Sequence, residues 1–221
     1  MLILGVILTY TILALAPKAA FLGIATASGS IAVGSRVPWA KYPVACVATQ
    51  AYTNPSLGPK IIRLINEGCN ASEALRRALS DDPEPNLRQV AVMTINGDKA
   101  VHNGRDIPRE MGYYVGSNSV CIANLVVNSK LAQEMCKVFE DNYERINDLG
   151  EFVKFLLEAL EYAHSIGGDK RGDRSSALLI VGNTSYGDLY DRIVDLRVDL
   201  SNEPIRDLKQ LTKAYLGFKT T

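Results

Sequence analysis

The chain has 221 residues, of which 47% are hydrophobic and 22% charged, a composition typical of a soluble globular protein. Its 24 basic and 24 acidic residues give a formal net charge of +0, which leaves no electrostatic footprint for nucleic acid or an anionic membrane. Four cysteines without C-x-x-C spacing and only two histidines exclude a thioredoxin-like motif and a histidine-rich metal site. We therefore expect no metal ion, no cofactor, and a reducing, cytoplasmic compartment.

The first sixteen residues carry no charge, and three interpretations compete for them. A signal peptide needs a basic region before its apolar stretch, and residues 1–16 have none. A membrane helix needs about 20 apolar residues, and Pro17-Lys18 ends this run earlier. The tract over 7–13, ILTYTIL, is rich in β-branched and aromatic residues, which favours a β-strand. A strand is the preferred interpretation, a signal peptide the second and a membrane anchor the third.

From the amino end to Asp82-Pro83, the pattern predicts three strands followed by two helices. Short β-prone runs favour the strands, which cover 7–13, 21–27 and 44–50. A glycine-bearing loop over 28–36 separates the second strand from the third. The apolar stripe of the first helix ends at Gly68, and Asn70 with Glu73 forms a capping box for the second.

The middle of the chain is predicted to form four strands and then a second pair of helices. The strands cover 88–95, 99–102, 113–115 and 120–126. Asn96-Gly97 joins the first two as a hairpin turn in which both residues take a positive φ. Asp148 with Glu151 caps the second helix of the pair, and Gly167-Gly168 ends it.

The last part of the chain is predicted to form two strands and a helix. The first strand, 177–181, is apolar throughout, while 194–200 alternates apolar and charged residues and has one wet face. Pro204 begins the helix, with Leu211 among its inward-facing residues. Because strict βαβ alternation is absent, we expect an α+β fold in which helix pairs cover two mostly antiparallel sheets. The prediction is a four-layer αββα sandwich, with residues 1–221 forming a single domain.

Motifs of several common enzyme classes are missing from the sequence. It contains no G-x-S-x-G elbow, no G-x-x-x-x-G-K-[ST] phosphate loop and no G-x-G-x-x-G after a strand. Elbow-type hydrolysis, nucleotide binding and dinucleotide redox chemistry are therefore disfavoured. Three polar loops remain, over 25–40, 48–55 and 167–176.

These loops and the strands beside them carry motifs that are similar to those of a known family. The chain reads T-Y-T-I at Thr9–Ile12 and G-I-A-T-A-S at Gly23–Ser28. Further along it reads A-V-G, V-P-W-A, A-T-Q-A, N-P, L-R-Q-V, G-G-D-K-R-G and, after Ser175, V-D-L-R-V-D. Over residues 9 to about 212 it resembles the family catalogued as domain of unknown function ten-twenty-eight (DUF1028), which is grouped with the N-terminal nucleophile (Ntn) hydrolases. One departure is that Ile122 stands where the family pattern Q-G-N has its glutamine.

The resemblance implies an αββα sandwich and an amide hydrolase in which Thr9 is the nucleophile. In such an enzyme the α-amine of the first residue, with a pKa of about 7.7–8.0, activates the hydroxyl of that residue. Thr9 is internal in this chain, so catalysis requires the loss of residues 1–8. Either translation starts later, or the chain cleaves itself at Leu8-Thr9, and we interpret residues 1–8 as a dispensable or misassigned extension. The alternative is that Thr9 is only a strand residue.

Nine other polar residues are candidates for lining the site. They are Ser28, Arg36, Gln50, Asn54, His102, Asn124, Asp169, Arg171 and Ser175. Gln50 and Asn54 can orient a substrate amide or satisfy loop backbone groups, and Asp169 and Arg171 can clamp a ligand carboxylate or pair with each other. A lone histidine such as His102 is more often structural than catalytic.

The expected partner is a small-molecule or peptide-like amide substrate, with no nucleic acid and no membrane, and a homo-oligomer is left open. Two other classes of function remain beside the hydrolase. One is a non-catalytic binding module with the same fold, which the Ile122 departure favours. The other is an exported protein whose residues 1–16 are a signal peptide.

Overall fold

The computed structural model describes residues 9–108 and 110–217, so the predicted extension over residues 1–8 lies outside the described residues. The described chain forms ten strands, β1 (Thr9–Leu15), β2 (Phe21–Ser28), β3 (Pro38–Lys41), β4 (Ala45–Ala51), β5 (Arg88–Thr94), β6 (Lys99–Asn103), β7 (Met111–Val115), β8 (Ser119–Asn124), β9 (Ser175–Gly182) and β10 (Arg192–Val198). It also forms five α-helices, α1 (Leu57–Asn66), α2 (Ala71–Ser80), α3 (Leu131–Glu140), α4 (Leu149–Ser165) and α5 (Pro204–Gly217). No helix in these two described ranges is both long and apolar enough to cross a membrane.

The strands form two antiparallel sheets. The six-stranded sheet has the order β10-β9-β2-β1-β8-β7, and the four-stranded sheet has the order β3-β4-β5-β6. β1 lies at the centre of the larger sheet, paired with β2 on one side and β8 on the other. The first strand of the chain is therefore a central structural element, as the strand interpretation of its sequence predicts.

Three apolar clusters separate the layers. One lies between the two sheets and includes Leu13, Ile24 and Met93. The second fills the space between the six-stranded sheet and helices α3, α4 and α5. The third lies between the four-stranded sheet and helices α1 and α2. This arrangement confirms the predicted αββα sandwich, and burial of these side chains provides the main favourable contribution to its stability.

The alternation of side chains along β1 explains where the hydroxyl groups of Thr9, Tyr10 and Thr11 point. Successive strand residues point to opposite faces, and Leu13 belongs to the cluster between the sheets while Tyr10 and Ile12 pack on the helix side. Thr9 and Thr11 share the face of Leu13. Their hydroxyls therefore lie in the space between the two sheets.

Several local predictions are confirmed. The Asn70 side chain accepts a hydrogen bond from the Glu73 backbone N–H at 2.9 Å, and Asp148 accepts one from the Glu151 N–H at 2.9 Å. Asn70 and Asp148 are therefore the N-caps of α2 and α4, as predicted, because each side-chain oxygen satisfies a backbone donor of the first turn. The predicted capping box at Asn70 is only half formed, since the Glu73 carboxylate accepts from Arg76 and Arg77 instead of closing it.

Three local predictions are wrong. Of the Asn96-Gly97 pair only Gly97 has a positive φ, 81°, and its N–H donates to the Thr94 carbonyl at 3.0 Å. The hairpin exists, but it uses a three-residue loop with glycine in the left-handed position rather than a two-residue turn. β3 is a further strand that follows the predicted loop over 28–36, where no strand was predicted, and Leu211 is 40% exposed instead of facing inward.

Candidate functional site

A row of polar side chains crosses the six-stranded sheet at the end where β1 begins. Thr9 pairs with Ser28 of β2 and with Asn124 of β8, and Ser28 pairs with Ser175 of β9. Directly paired residues project from the same face of a sheet. All four side chains are fully buried and point toward the other sheet. We call these four residues the polar row.

A second row lies opposite, on the four-stranded sheet. Gln50 of β4 pairs with Gln89 of β5, which pairs with Asn103 of β6. We call these three residues the carboxamide row. Gln50 Nε2 donates to the Thr9 carbonyl at 3.1 Å, so the two rows are in direct contact.

Backbone carbonyls fix the orientation of the carboxamides. Gln89 Nε2 donates to the carbonyls of Ala123 and Gly112, at 3.1 and 3.3 Å, and to Asn103 Oδ1 at 2.8 Å. A carbonyl can only accept, so the other end of Gln89 is its oxygen. That oxygen accepts from Gln50 Nε2 at 2.7 Å and from Asn124 Nδ2 at 3.1 Å. The orientation of Gln89 therefore determines those of Gln50 and Asn124.

The Thr9 hydroxyl is held within this network. Its Oγ1 donates to Ser28 Oγ at 3.2 Å, and Ser28 Oγ also accepts from the Ser30 backbone N–H at 3.0 Å. One step further into the sandwich, Thr11 Oγ1 donates to Gln50 Oε1 at 2.7 Å and lies 2.8 Å from Thr26 Oγ1. The seven residues of the two rows include no titratable side chain.

One polar atom of the rows lacks a partner. Asn124 Oδ1 is buried and accepts no hydrogen bond from the residues that the structure describes, although Asn124 Nδ2 is bonded to Gln89. Buried polar atoms in proteins are nearly always paired. This oxygen, beside Thr9, is therefore an acceptor available for a donor that is not part of the described chain.

The loop over 167–174 and the first residue of β9 bring three predicted site residues next to Ser28. Asp169 Oδ2 accepts from the Gly29 backbone N–H at 2.7 Å, and Ser175 Oγ donates to the Ser30 carbonyl at 2.6 Å. Arg171 and Asp169 form an ion pair at 3.2 Å. The sequence left open whether these two side chains clamp a ligand carboxylate or pair with each other, and in the structure they pair with each other.

Three predicted site residues have other contacts. Asn54 Nδ2 donates to Asp82 Oδ2 at 2.8 Å, and Arg36 donates to the Ile31 carbonyl at 3.0 Å. His102 pairs with Val90, which packs on the α1–α2 side of its sheet. His102 therefore faces away from Thr9, and its Nε2 lies 2.8 Å from the Pro85 carbonyl.

Sequence reasoning missed several residues of the cluster. They are Thr11, Thr26, Gln89 and Asn103. A signal for Gln89 was available, because it alternates with Ala91 and Met93 on the apolar face of β5. A glutamine on such a face indicates a buried hydrogen-bonding role.

A second polar group, on the helix side of β1, was also missed. The Tyr10 hydroxyl donates to Asp173 Oδ2 at 2.6 Å, and His164 Nδ1 lies 2.6 Å from the same oxygen. Burial raises the pKa of the Asp173 carboxyl, against the hydrogen bonds from Tyr10 and His164, which lower it. Burial and the nearby Asp173 raise the pKa of the Tyr10 phenol well above its ordinary value. This group fastens the 167–174 loop to the residue that follows Thr9.

The described residues offer no group of three or more His, Cys, Asp or Glu side chains arranged to hold a metal ion. The four cysteines are free. Burial raises the pKa of the Cys46 and Cys121 thiols. These two therefore behave as small apolar side chains rather than as nucleophiles.

A family model and a solved structure each match most of this chain. A family model described as a family of unknown function, DUF1028, matches residues 9–208. The crystal structure of a Silicibacter pomeroyi protein whose description names the same family model is 26% identical, with a TM-score of 0.81. That match covers 94% of this chain and 85% of the other. No curated protein matches the chain.

Proposed function

This chain belongs to the DUF1028 family, whose function is unknown, and we propose from the geometry of its site that it is an Ntn amide hydrolase. Thr9 is the nucleophile, and residues 1–8 must be lost before it can act. The substrate is a small-molecule or peptide-like amide. The four free cysteines are consistent with a reducing, cytoplasmic compartment.

The observation that carries the proposal is the position of Thr9. It begins the central strand of an αββα sandwich, with its hydroxyl between the sheets and bonded to Ser28 Oγ at 3.2 Å. No titratable side chain occurs in the two rows around it. The α-amine of a shortened chain would be covalently attached to the same residue, and its ordinary pKa of about 7.7–8.0 leaves part of it unprotonated at neutral pH.

The reaction follows from these groups. The α-amine takes the proton of Thr9 Oγ1 as that oxygen attacks the carbonyl carbon of the amide. The C–N bond then breaks, the proton passes to the departing amine, and the acyl group remains on Oγ1 as an ester. Water hydrolyses the ester, which releases a carboxylic acid and restores the hydroxyl.

Intact-mass measurement tests the processing step. We expect the protein from its native source to begin at Thr9. A chain expressed as Met followed by Thr9, from which the initiator Met is removed, should then be labelled by a β-lactone. Oγ1 attacks the lactone carbonyl and opens the ring, so the mass increases by that of the whole lactone. A native protein that retains Met1 would contradict the proposal.

Substitutions test the nucleophile. Thr9→Ala should abolish labelling, and Thr9→Ser should retain it because the hydroxyl is kept. Thr94→Ala is the matched control, since Thr94 is also buried but accepts a hydrogen bond in the β5–β6 hairpin. Labelling of the Thr9→Ala chain at an unchanged rate would exclude Thr9.

A non-catalytic binding module is the second candidate. The Thr9 side chain is 0% exposed, and Ile122 occupies a position between the sheets. Both observations favour a filled interior over an open active site. A chain that begins at Thr9, folds and is not labelled would support this second function.

A further inference from the structure

We propose that the site selects amides whose acyl group is uncharged and carries a hydrogen-bond donor. This inference rests on the proposed role of Thr9. A primary carboxamide or a peptide N–H is such a donor. Asn124 Oδ1 receives it.

The first argument is charge. The polar row and the carboxamide row contain only hydroxyls and carboxamides, and the acidic groups nearby lie outside the space between them. Asp169 pairs with Arg171 at 3.2 Å, and Asp173 accepts from Tyr10 at 2.6 Å. An acyl carboxylate or ammonium entering between the rows would meet no opposite charge on the seven residues of the rows, and burying an unpaired charge is strongly unfavourable.

The second argument is the use of acceptors in the carboxamide row. Gln89 Oε1 accepts two hydrogen bonds, Gln50 Oε1 accepts one from Thr11, and Asn103 Oδ1 accepts one from Gln89. Asn124 Oδ1 accepts none. Its orientation cannot be reversed without placing two carboxamide oxygens against each other, because Nδ2 is needed for Gln89 Oε1.

The third argument is position. Thr9 and Asn124 are direct cross-strand partners, and the Cβ atoms of such partners lie about 5 Å apart. A donor bound to Asn124 Oδ1 therefore belongs to the acyl group that Thr9 attacks, within a few bonds of the carbonyl. An apolar acyl group of the same size would leave the oxygen unpaired, and sites built for a hydrogen bond reject analogues that lack it.

Three isosteric aminomethylcoumarin amides test the selection on the chain beginning at Thr9. Their acyl groups are succinamoyl, with a neutral donor, succinyl, with a carboxylate, and isohexanoyl, with an apolar end. We expect kcat/KM for succinamoyl to exceed both others by about tenfold or more. Equal or faster hydrolysis of the succinyl or isohexanoyl amide would overturn the proposal. This comparison needs no variant.

Asn124→Leu tests the assigned atom. It should lower kcat/KM for the succinamoyl amide, raise it for the isohexanoyl amide and so remove the preference. Asn202→Leu, in the exposed turn before α5, is the matched control and should leave the preference unchanged. An equal loss for all three amides would assign Asn124 Oδ1 to the freed α-amine instead and overturn the proposal.

The two proposals fail in different ways. If the β-lactone labels Thr9 and none of the three amides is hydrolysed, the acyl class is wrong while the nucleophile stands. If neither labelling nor hydrolysis occurs, the proposed function fails and this inference fails with it.

Discussion

At the scale of single residues, the sandwich has an unusual polar end. Burying hydroxyls and carboxamides between sheets is unfavourable unless each is hydrogen-bonded. Gln89 supplies hydrogen bonds to several of these groups, since it bonds to Gln50, Asn103 and Asn124 and to two backbone carbonyls. Its contribution is therefore to the whole network, and it holds both rows at a fixed distance.

Replacing Gln89 by leucine should be strongly destabilising. The change leaves buried donors of Gln50 and Asn124 without that acceptor, and each unsatisfied group costs about 1–3 kcal/mol. We expect the free energy of unfolding to fall by roughly 2–4 kcal/mol in urea denaturation. Gln210→Leu on the exposed side of α5 is the control and should change it by less than about 0.5 kcal/mol. Equal effects of the two substitutions would contradict the role of Gln89.

A buried ion pair gives a prediction about pH. Arg88 Nη2 lies 3.0 Å from Asp82 Oδ1, and both side chains are buried. Burial raises the pKa of the Asp82 carboxyl. Hydrogen bonds from Arg88 and Asn54 lower that pKa by more, so the folded-state pKa lies below its ordinary value. A lowered folded-state pKa stabilises the fold above the unfolded-state pKa of about 3.9, and this stability is lost as the pH falls through the folded-state pKa.

Asp82→Asn should therefore lower the free energy of unfolding by roughly 3 kcal/mol at neutral pH. The difference from the wild type should shrink as the pH falls below about 4. Urea denaturation across this range measures both effects. Asp106→Asn is the control, because Asp106 and Arg105 form an exposed pair at 3.8 Å, and such pairs contribute little. A difference that grows on acidification would refute the assignment.

At the scale of elements, the sequence predicts what local chemistry determines. Both N-caps and the apolar stripes of the helix pairs are correct, because a cap or a stripe depends on residues within a few positions of each other. β3 could not be predicted in this way. It is four residues long and pairs only with β4 at the edge of its sheet, so tertiary pairing rather than sequence pattern makes it a strand.

Helix α1 contains a glycine whose role only the structure explains. A Cβ added at Gly58 would lie 2.2 Å from Trp39 Cγ, so the absence of a side chain lets the helix approach the tryptophan on β3. Trp39 is itself held by a hydrogen bond from Nε1 to the Arg36 carbonyl at 2.9 Å. The close packing of α1 on the four-stranded sheet therefore depends on Gly58.

Gly58→Ala should destabilise the protein even though alanine favours helix. Overpacking typically costs about 1–3 kcal/mol, which exceeds the gain in helix propensity of up to about 1 kcal/mol. Gly150→Ala, at the equivalent second position of α4, is the control, because its Cβ would approach only Asp148 Oδ1, at 3.3 Å rather than 2.2 Å. Thermal unfolding should separate the two, and a stabilised Gly58→Ala chain would show that Trp39 moves without cost.

At the scale of the whole molecule, the site is assembled from residues that are distant in sequence. Thr9, Ser28, Gln50, Gln89 and Asn124 come from five strands and two sheets. Sequence motifs pointed to four of the five, through the family resemblance. Gln89 also lies in a quoted motif, L-R-Q-V, but its partners could not be predicted, because strand order and register result from long-range pairing. The motifs also could not exclude His102, whose face is set by its pairing with Val90.

The position of β1 leads to a prediction about the amino-terminal region. A chain beginning at Thr9 retains both pairings of β1, so we expect it to fold with a free energy of unfolding within about 0.5 kcal/mol of the full chain. A chain beginning at Pro17, as a signal peptide over residues 1–16 would leave it, lacks the strand between β2 and β8. It also loses Tyr10, Ile12 and Leu13 from two apolar clusters.

The chain beginning at Pro17 should therefore show no cooperative unfolding in circular dichroism or calorimetry. Each large buried side chain that is lost removes roughly 1.5–3 kcal/mol, and native stability totals only about 5–15 kcal/mol. Cooperative folding of that chain would make β1 dispensable and would favour export with residues 1–16 as the signal. Failure of that chain beside full stability of the chain from Thr9 would show that the fold requires β1 and tolerates the loss of residues 1–8, as the proposed function needs.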